Sequence, residues 1–373
     1  MTYTVLRVLV TGANGFIGKN LVVRLRETGR FAVTEFVRGD DVLALPRLVA
    51  EADAVVHLAG ENRPADERLF AEINTGLTET ICAAIRAAKR PVQLLLASST
   101  QAEQDNAYGR SKLAAERAVL TLAERTGNPA AIFRLPGVFG KWCRPNYNSV
   151  VATFCHNIAC GLPIRVDDPE ASLRLVYVDD VVSAMINALD GPSDGVSQGD
   201  VLPDYTITLG ELAAQISAFE ASRETLVTER VGTGLTRALY ATYLSCLPVD
   251  RFSYAIPQHA DPRGVFVEIL KTPDCGQFSF LSAPPGITRG GHYHHTKAEK
   301  FLVVKGEALF RFRHLLTDER LELRVSGDMV QVVETIPGWS HDITNVGNQE
   351  MIVMLWANEI FDRDRPDTIT SSV

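Results

Sequence analysis

Tyr108 and Lys112 are the residues whose types and spacing point most directly to chemistry. The pattern Tyr-x-x-x-Lys at the start of a predicted helix places both side chains on one helix face, one turn apart. A free phenol has a pKa of about 10, so proton donation near pH 7 needs roughly 4 kcal/mol of preferential phenolate stabilisation, which a neighbouring ammonium can partly supply. Upstream, Ser99, or alternatively Thr100, offers a hydroxyl at a strand end that could bond the same carbonyl oxygen.

A glycine-rich turn at residues 11–18, TGANGFIG, is suited to binding a dinucleotide. It follows an apolar strand and opens an amphipathic helix. Glycines there permit a tight turn, let the backbone approach a pyrophosphate and allow close helix–strand packing, while the phosphates rest on the helix N-terminus. The predicted contacts in this turn are Gly12, Asn14, Gly15, Phe16, Ile17 and Gly18.

Arg38 bears on which dinucleotide is bound. It ends the second predicted strand, twenty residues beyond Gly18. An acidic residue there would bond the ribose diol of NAD, whereas arginine suits the extra phosphate of NADP. Asp40 and Asp41 lie close enough to serve the diol instead, but the arginine favours NADP.

A second group of chemically capable residues consists of His292, His294, Glu299 and His341. The pattern Gly286-x5-His-x-His-x4-Glu-x6-Gly306 places the first two histidines on one face of a strand and returns the glutamate on the next. The later segment PGWSH at 337–341 adds a third imidazole. Imidazoles and a carboxylate that converge inside a barrel form a site for Zn²⁺, Fe²⁺ or Ni²⁺.

The elements that must position the first group alternate between β-branched strands and amphipathic helices. This alternation is typical of an α/β fold with a doubly wound parallel sheet, which binds ligands beyond the carboxyl ends of its strands. We predict a domain over residues 1–250, with strands at 5–10, 32–37, 54–58, 92–97 and 131–135 and helices at 18–28, 70–88 and 111–126.

The second group lies in a region where helical periodicity stops and short alternating strands begin. We predict it to be a separate all-β domain over residues 251–373. Short strands separated by glycine, proline and aspartate turns indicate a sandwich or small barrel. The last residues, 366–373, are predicted to be a frayed tail. The predicted strands are 265–269, 277–281, 301–304, 308–314, 321–325, 329–333 and 351–356.

Composition excludes several functional classes. The chain is 46% hydrophobic but has no uninterrupted apolar run of the roughly 18 residues that a membrane helix needs. A net charge of −8 without any basic run argues against nucleic-acid binding. The first residues form a predicted strand, not a signal peptide, and six scattered cysteines fit a reducing compartment. We therefore expect a cytoplasmic protein that acts on small molecules.

The first 250 residues resemble extended short-chain dehydrogenases that act on nucleotide sugars. The resemblance rests on TGANGFIG at 11–18, HLAG at 57–60, Ser98-Ser99, YGRSK at 108–112, RLPGVFG at 134–140 and YVDD at 177–180. It implies that Tyr108 is the proton donor, Lys112 its activator and ribose anchor, and Ser99 the carbonyl partner. Leu58 and Ala59 would also contact the cofactor. A small substrate lobe would extend over 136–250, with Lys141, Arg144 and Arg174 as candidates for binding a diphosphate.

The C-terminal third resembles the cupin fold, and DPRGVF at 261–266 is similar to the opening of nucleotide-sugar epimerases built on that barrel. The whole chain resembles bifunctional UDP-sugar enzymes of capsule and O-antigen synthesis, of the CapF/WbjC type, with matching segments FGKWCRPNYNSV at 139–150 and GHYHHTK at 291–297. The resemblance implies that the cupin inverts C-3 of a UDP-2-acetamido-2,6-dideoxy-4-ketohexose. The reductase domain then reduces C-4 with NADPH, giving UDP-2-acetamido-2,6-dideoxy-L-talose on the route to UDP-N-acetyl-L-fucosamine.

Several alternatives stay open from the sequence. The base at C-3 could be His292, Tyr293, His295, His314 or Asp342. The metal could be chemical or structural, with Zn²⁺ favoured because epimerisation involves no redox change. The main rival function is a monofunctional UDP-4-ketosugar reductase whose metal-binding cupin serves structure and oligomerisation. A redox sensor without turnover and a dioxygenase cupin are minority alternatives, and a homodimer is expected in every case.

Overall fold

The structure, a computed structural model, describes residues 5–191, 195–257, 259–261, 264–266, 270, 276–359 and 364–373. The chain forms two compact units, and neither is continuous in sequence. The first comprises Met1–Phe139 and Arg174–Thr206, and the second Gly140–Leu173 and Ile207–Val373. The domain boundary near residue 250 stays a prediction. In the structure, residues 207–250 pack in the same unit as the C-terminal strands.

Strands and helices alternate through the first half of the chain. Their bounds, in chain order, are β1 (Leu6–Thr11), α1 (Phe16–Glu27), β2 (Phe31–Phe36), α2 (Leu45–Glu51), β3 (Ala54–His57), α3 (Leu77–Ala88), β4 (Gln93–Ser99), α4 (Ala107–Thr126), β5 (Ala130–Leu135), β6 (Gly137–Phe139), α5 (Val150–Ala159), β7 (Ser172–Tyr177), α6 (Val178–Asp190), β8 (Val196–Gln198) and β9 (Asp204–Thr208). A π-helical segment (Phe70–Gly76) leads into α3 where one continuous helix was predicted.

The predicted parallel sheet is confirmed. Six parallel strands lie in the order β2-β1-β3-β4-β5-β8. Val8 and Val10 of β1 face a cluster that includes α1 and α6, whereas Leu9 faces one that includes α2, α3 and α4. Neighbouring strand residues point to opposite faces, so apolar residues in succession require helices on both sides of the sheet. A second sheet has the order β6-β7-β9.

The second half of the chain begins with two helices and continues in strands. The bounds are α7 (Leu209–Thr225), α8 (Gly234–Ser245), β10 (Ser253–Ala255), β11 (His259–Asp261), β12 (Gly264–Phe266), β13 (Gln277–Ala283), β14 (Thr288–Tyr293), β15 (Glu299–Lys305), β16 (Glu307–His314), β17 (Arg320–Ser326), β18 (Gln331–Thr335), β19 (Trp339–Asn345), β20 (Met351–Ala357) and β21 (Ile369–Thr370). The DPRGVF segment and the strand predicted at 265–269 lie partly outside the described residues.

Two five-stranded antiparallel sheets form the β-rich part of the second unit. Their orders are β10-β18-β15-β20-β13 and β17-β16-β19-β14-β21, and β11 pairs with β12. The sequence predicted a sandwich or small barrel, and the resemblance was to the cupin barrel. Within the described residues no strand of one five-stranded sheet pairs with a strand of the other, so the barrel is not closed there. The region is therefore antiparallel and β-rich, with two sheets in place of one closed barrel.

A buried ion network links α7 to the strands of the second unit. Glu334 of β18 binds Arg223 of α7 and Lys300 of β15, each through a carboxylate oxygen at 2.5 Å. Lys300 also donates to the Tyr254 hydroxyl at 2.8 Å, and the Arg223 guanidinium lies over the Tyr254 ring. Arg223 donates further to the carbonyl of Arg251. Because buried charges need partners, the helical segment and the strands of this unit depend on each other.

The last residues are ordered, which corrects the prediction of a frayed tail. The strand β21 pairs with the end of β14 through His292 and Tyr293. The Ser371 amide donates to the carbonyl of Gly291 at 2.9 Å, and Ser340 donates to the carbonyl of Ser371 at 2.7 Å. Tertiary hydrogen bonds hold this segment, although it is rich in serine and threonine and has no apolar period.

No helix in the described ranges is long and apolar enough to cross a membrane. The cysteines in those ranges, Cys82, Cys143, Cys155, Cys160 and Cys246, are free thiols. Cys275 lies outside the described residues.

Candidate functional site

The glycine turn after β1 has a geometry that only glycine allows. Gly12 has a φ of +70°, and a Cβ there would lie 2.6 Å from the Ala59 amide nitrogen. A Cβ on Gly18 would lie 2.2 Å from the Gly12 carbonyl oxygen. These approaches would be severe clashes, so the glycines let the turn pack against the Leu58–Ala59 backbone that follows β3. The structure thus brings together the two segments predicted to contact the cofactor.

The first turn of α1 is open to an anion. Its N-cap, Gly15, provides no side chain to bond the free amides, and the first turn carries no acidic residue. Asn14 is exposed, and Phe16 and Ile17 are half-buried beside it. Unpaired amides and the helix dipole favour negative charge at such an end. The turn therefore fits a pyrophosphate, as the sequence predicts.

Arg38 lies two residues beyond β2, where its side chain is 83% exposed and pairs with Glu61 at 2.7 Å. The nearby acids that could have bound a ribose diol are engaged elsewhere. Asp40 accepts a hydrogen bond from the Val37 amide at 2.8 Å, and Asp41 accepts one from the Leu43 amide at 2.9 Å. Arg38, Asp40 and Asp41 are all exposed beyond β2, and each has a local partner.

Ser99, Tyr108 and Lys112 converge at the carboxyl end of β4. Ser99 is the last residue of β4, and its side chain hydrogen-bonds Tyr108. Burial raises the pKa of the Tyr108 phenol, and that hydrogen bond opposes the effect. The Lys112 ammonium lies 5.9 Å from the centre of the Tyr108 ring and donates to the Ala97 carbonyl at 3.0 Å. Burial lowers the pKa of Lys112 to about 8.

Packing around Gly109 sets the position of the tyrosine. The helix α4 begins at Ala107, earlier than the predicted residue 111, because the Asn106 side chain caps it by accepting from the Gly109 amide at 2.7 Å. A Cβ on Gly109 would lie 2.3 Å from the carbonyl oxygens of Gln101 and Gln104. The first turn of α4 therefore sits tightly on the 3₁₀ turn that follows Ser99.

Asn74 is a site residue that the sequence reasoning missed. It lies in the π-helical segment, accepts from the Glu61 amide at 2.7 Å and donates to the Ser111 hydroxyl at 3.0 Å. These bonds hold the loop at Gly60, where a Cβ would lie 3.4 Å from the Lys112 nitrogen. A buried asparagine within a helical pattern was the available signal, and π-helical segments are frequent at functional sites.

The three predicted diphosphate contacts are divided between the two units. Lys141, in the second unit, is only 1% exposed and lies 5.4 Å from the Trp142 ring. Arg144, also in the second unit, lies over the Tyr147 ring at 5.0 Å. Arg174 belongs to the first unit, where it pairs with Asp204 at 2.6 Å.

His292, His294, Glu299 and His341 come together as predicted. One ligand atom from each lies within 4.8 Å of the others. His292 and His341 are cross-strand partners on β14 and β19, Glu299 begins β15 of the other sheet, and His294 follows β14 directly. The site therefore combines residues from both five-stranded sheets of the second unit.

The donor atoms of this cluster fit a divalent cation. Nε2 of His294 and Nε2 of His341 lie 3.2 and 3.5 Å from the same oxygen of Glu299. Burial alone would raise the pKa of Glu299, but the two imidazoles hold it well below its usual range. Both nitrogens of His341 are buried without a hydrogen-bond partner. Imidazole nitrogens and a carboxylate oxygen that face one another in this way form a donor set suited to a divalent metal ion.

His292 has the protonation state that a metal ligand needs. Burial, together with His341 and His294, lowers its pKa to about 4. The imidazole is therefore neutral near pH 7, with a nitrogen lone pair available to a metal.

The candidate bases differ in their surroundings. Asp342 follows His341 on β19, so it points to the opposite face, where it pairs with Arg311 at 2.8 Å. Nδ1 of His314 accepts from the Leu316 and Thr317 amides, so its neutral imidazole carries the proton on Nε2 and can donate there. Tyr293 and His295 pack against each other with ring centres 5.5 Å apart.

Two family models match the chain. The NAD dependent epimerase/dehydratase family matches residues 8–202, and the polysaccharide biosynthesis C-terminal domain matches residues 259–369. The first match covers more than half of the chain, which therefore belongs to the NAD dependent epimerase/dehydratase family.

Two relatives match this chain over almost its whole length. A Pseudomonas aeruginosa protein described as UDP-2-acetamido-2,6-β-L-arabino-hexul-4-ose reductase is 55% identical over 368 residues, covering 99% of each chain. The crystal structure of the capsular polysaccharide assembling protein CapF from Staphylococcus aureus is 42% identical with a TM-score of 0.67, over 98% of this chain and 100% of that one. The predicted resemblance to CapF-type proteins is confirmed.

A more distant neighbour shares the fold. UDP-glucuronic acid 4-epimerase from Bacillus cereus, solved with UDP-glucuronic acid and NAD, is 17% identical with a TM-score of 0.52. The match covers 58% of this chain and 83% of that one.

Proposed function

We propose that this protein reduces the 4-keto group of a UDP-linked 6-deoxy-N-acetylhexosamine with NADPH, after its β-rich region has inverted C-3 of the same sugar. The product would be UDP-2-acetamido-2,6-dideoxy-L-talose. The observation that carries the proposal is the convergence of Ser99, Tyr108 and Lys112 beside a glycine turn fit for a dinucleotide. The full-length similarity to a UDP-ketosugar reductase supports the substrate class.

Each residue of this group has a defined task in the reduction. NADPH, when bound, supplies the hydride that reaches the carbonyl carbon. Tyr108 then protonates the new alkoxide, and the Ser99 hydroxyl bonds the same oxygen and orients it. Lys112 stabilises the phenolate that remains on Tyr108, and its 5.9 Å distance from that ring fits this task.

The order of the two reactions follows from their chemistry. The C-3 proton is acidic only because the adjacent ketone can take up the developing charge. Reduction removes that ketone, so epimerisation must come first. We assign the inversion to the cupin-like region, with His292, His294, Glu299 and His341 holding Zn²⁺. Of the candidate residues, His314 presents an N–H donor, which suits a hydrogen bond to the oxygen that takes up the developing charge.

The runner-up function is a reductase whose metal-binding region is structural. One observation favours it: the cluster supplies four protein ligands, whereas catalytic zinc sites keep one position open for water or substrate. In that case the β-rich region would support the fold and the assembly of the protein without acting on C-3.

One experiment separates these functions. The UDP-4-ketosugar is incubated in D₂O with wild type, with Tyr108→Phe and with Tyr205→Phe, a tyrosine outside the site. NMR follows deuterium at C-3, and absorbance follows NADPH. We expect deuterium uptake in all three proteins and a 10²- to 10⁴-fold slower NADPH oxidation in Tyr108→Phe alone, since a lost general acid has about that effect. Reduction by wild type without C-3 exchange would exclude the epimerase and leave the runner-up.

A further inference from the structure

The segment from Asp367 to Ser371, which we name the C-terminal strap, binds directly behind the histidine cluster. Its strand β21 pairs with His292 and Tyr293 of β14. Its Asp367 carbonyl accepts from Nδ1 of His294. The strap is therefore in direct contact with two of the four cluster residues, His292 and His294.

The Asp367 carboxylate anchors the strap to the loop that carries His294. It accepts hydrogen bonds from the successive amides of His295, Thr296 and Lys297 at 2.8, 2.6 and 2.8 Å. The Thr296 hydroxyl donates to the same carboxylate at 3.0 Å. Successive amides that converge on one anion form a strong backbone anion site. The loop conformation therefore depends on a side chain about seventy residues away in the sequence.

The Asp367 carbonyl also fixes which nitrogen of His294 carries the proton. A carbonyl oxygen can only accept, so Nδ1 must be the donor. The neutral ring then presents the lone pair of Nε2, the atom that lies 3.2 Å from Glu299. Outer hydrogen bonds of this kind orient ligand imidazoles and raise their affinity for metals.

A second strap contact reaches the cluster from another direction. Thr368 accepts from the ammonium of Lys297 at 3.1 Å, and the same ammonium lies 3.5 Å from the second oxygen of Glu299. The strap thus supports both partners of the His294–Glu299 pair.

We infer that Asp367 is a positioning residue for the metal centre: its carboxylate holds the 294–297 loop, and its carbonyl sets the tautomer of His294. The inference rests on the metal site of the proposed function. The inference predicts that a substitution at Asp367 weakens metal binding, although all four ligand residues are unchanged.

The test measures Zn²⁺ affinity of the full-length protein by competition with a chromophoric chelator, and Co²⁺ binding by visible absorption. The variants are Asp367→Ala, Asp367→Asn, and Asp328→Ala as a control with an exposed aspartate in the second unit. We expect a 10- to 100-fold weaker Zn²⁺ affinity and an altered Co²⁺ spectrum in Asp367→Ala. The amide of Asp367→Asn keeps an acceptor, so that variant should lose less, and the control should match wild type.

The outcomes distinguish this inference from the proposed function. Wild type that binds neither Zn²⁺ nor Co²⁺ would remove the metal centre itself. Wild type that binds both, with Zn²⁺ affinity in Asp367→Ala and Asp367→Asn within threefold of it, would overturn the role of Asp367. If Asp367→Ala fails to fold by circular dichroism, Asp367→Asn decides: weaker Zn²⁺ binding by a folded protein supports the role, and unchanged binding rejects it.

Discussion

At the scale of single residues, Arg38 has an unusual electrostatic position. The Arg38 side chain is 83% exposed, whereas the side chain of its partner, Glu61, is only 10% exposed. The Arg38 side of this pair is open to solvent, so the ion pair is partly screened by water and salt. Its guanidinium can therefore exchange one oxyanion for another, and a phosphate offers the more favourable bidentate geometry.

Replacement of Arg38 should change cofactor preference. We expect Arg38→Ala to lower kcat/KM for NADPH by about 10- to 100-fold, because a hydrogen bond to a charged group contributes about 1.5–3 kcal/mol. The kcat/KM for NADH should change less than threefold. Steady-state kinetics with both cofactors provides the measurement, and Arg47→Ala on α2 is the exposed control. Equal losses of kcat/KM with the two cofactors would show that Arg38 does not bind the extra phosphate of NADPH.

Individual site residues were predictable to different degrees. His292, His294, Glu299 and His341 could be found from sequence, because strand pleating and fixed glycine spacings limit where their side chains point. Asp367 could not, since its role comes from three backbone amides across the fold. Asp342 was one of the candidate bases, yet the pleat of β19 places it on the face opposite His341.

At the scale of elements, the contact between α4 and the turn after β4 governs the candidate active site. The helix begins with Tyr108 and Gly109 in its first turn, and the backbone carbonyls at Gln101 and Gln104 leave no space for a side chain at Gly109. A methyl group there must move the helix away from Ser99.

This geometry gives a prediction for Gly109→Ala. We expect kcat for reduction to fall at least tenfold, since displacement of about 1 Å at a reacting group can cost up to a hundredfold. NADPH affinity, measured by isothermal titration calorimetry, should fall less than threefold because the glycine turn is untouched. Gly76→Ala is the control, as the nearest atom to its Cβ would be 3.9 Å away. A variant with wild-type kcat would contradict the tight packing described above.

Elements with strong apolar patterns were predicted well, and those held by their neighbours were not. Five of the six strands of the parallel sheet, β1 to β5, agree with their predicted positions to within two residues at either end, because most of them are buried apolar runs; β8 was not predicted. No strand was predicted at β19, and β14 was predicted without bounds, as the strand that carries His292. β14 contains Gly290 and Gly291 with positive φ and a bulge, so its pairing comes from β19 and β21 and not from strand propensity.

At the scale of the whole molecule, charge burial joins the helices α7 and α8 to the β-rich region. Glu334 forms ion pairs with both Arg223 and Lys300, and all three side chains are buried. Sequence could not predict this link. Arg223 and Glu334 are over a hundred residues apart and lie on elements that were assigned to different domains.

Glu334→Gln should destabilise the second unit strongly. It leaves two buried cations without a counter-charge, and breaking a buried pair costs about 3–5 kcal/mol. Trp142, Trp339 and Trp356 are the three tryptophans of the chain and all lie in this unit, so urea unfolding followed by tryptophan fluorescence reports on it. Glu350→Gln, an exposed site, should leave the midpoint unchanged. An unchanged midpoint in Glu334→Gln would show that the network contributes no net stability.

The interleaving of the two units has a consequence for how the protein is made. The first unit needs β8, so its sheet is incomplete until residue 198 has been synthesised. The second unit starts at Gly140 but waits much longer, because β14 obtains its last partner only from residues 369–370. Residues 140–173 must therefore remain without their final packing partners while the first unit closes. On the ribosome, a dinucleotide site can form early, whereas a metal ion would meet a finished site only after translation has passed the strap.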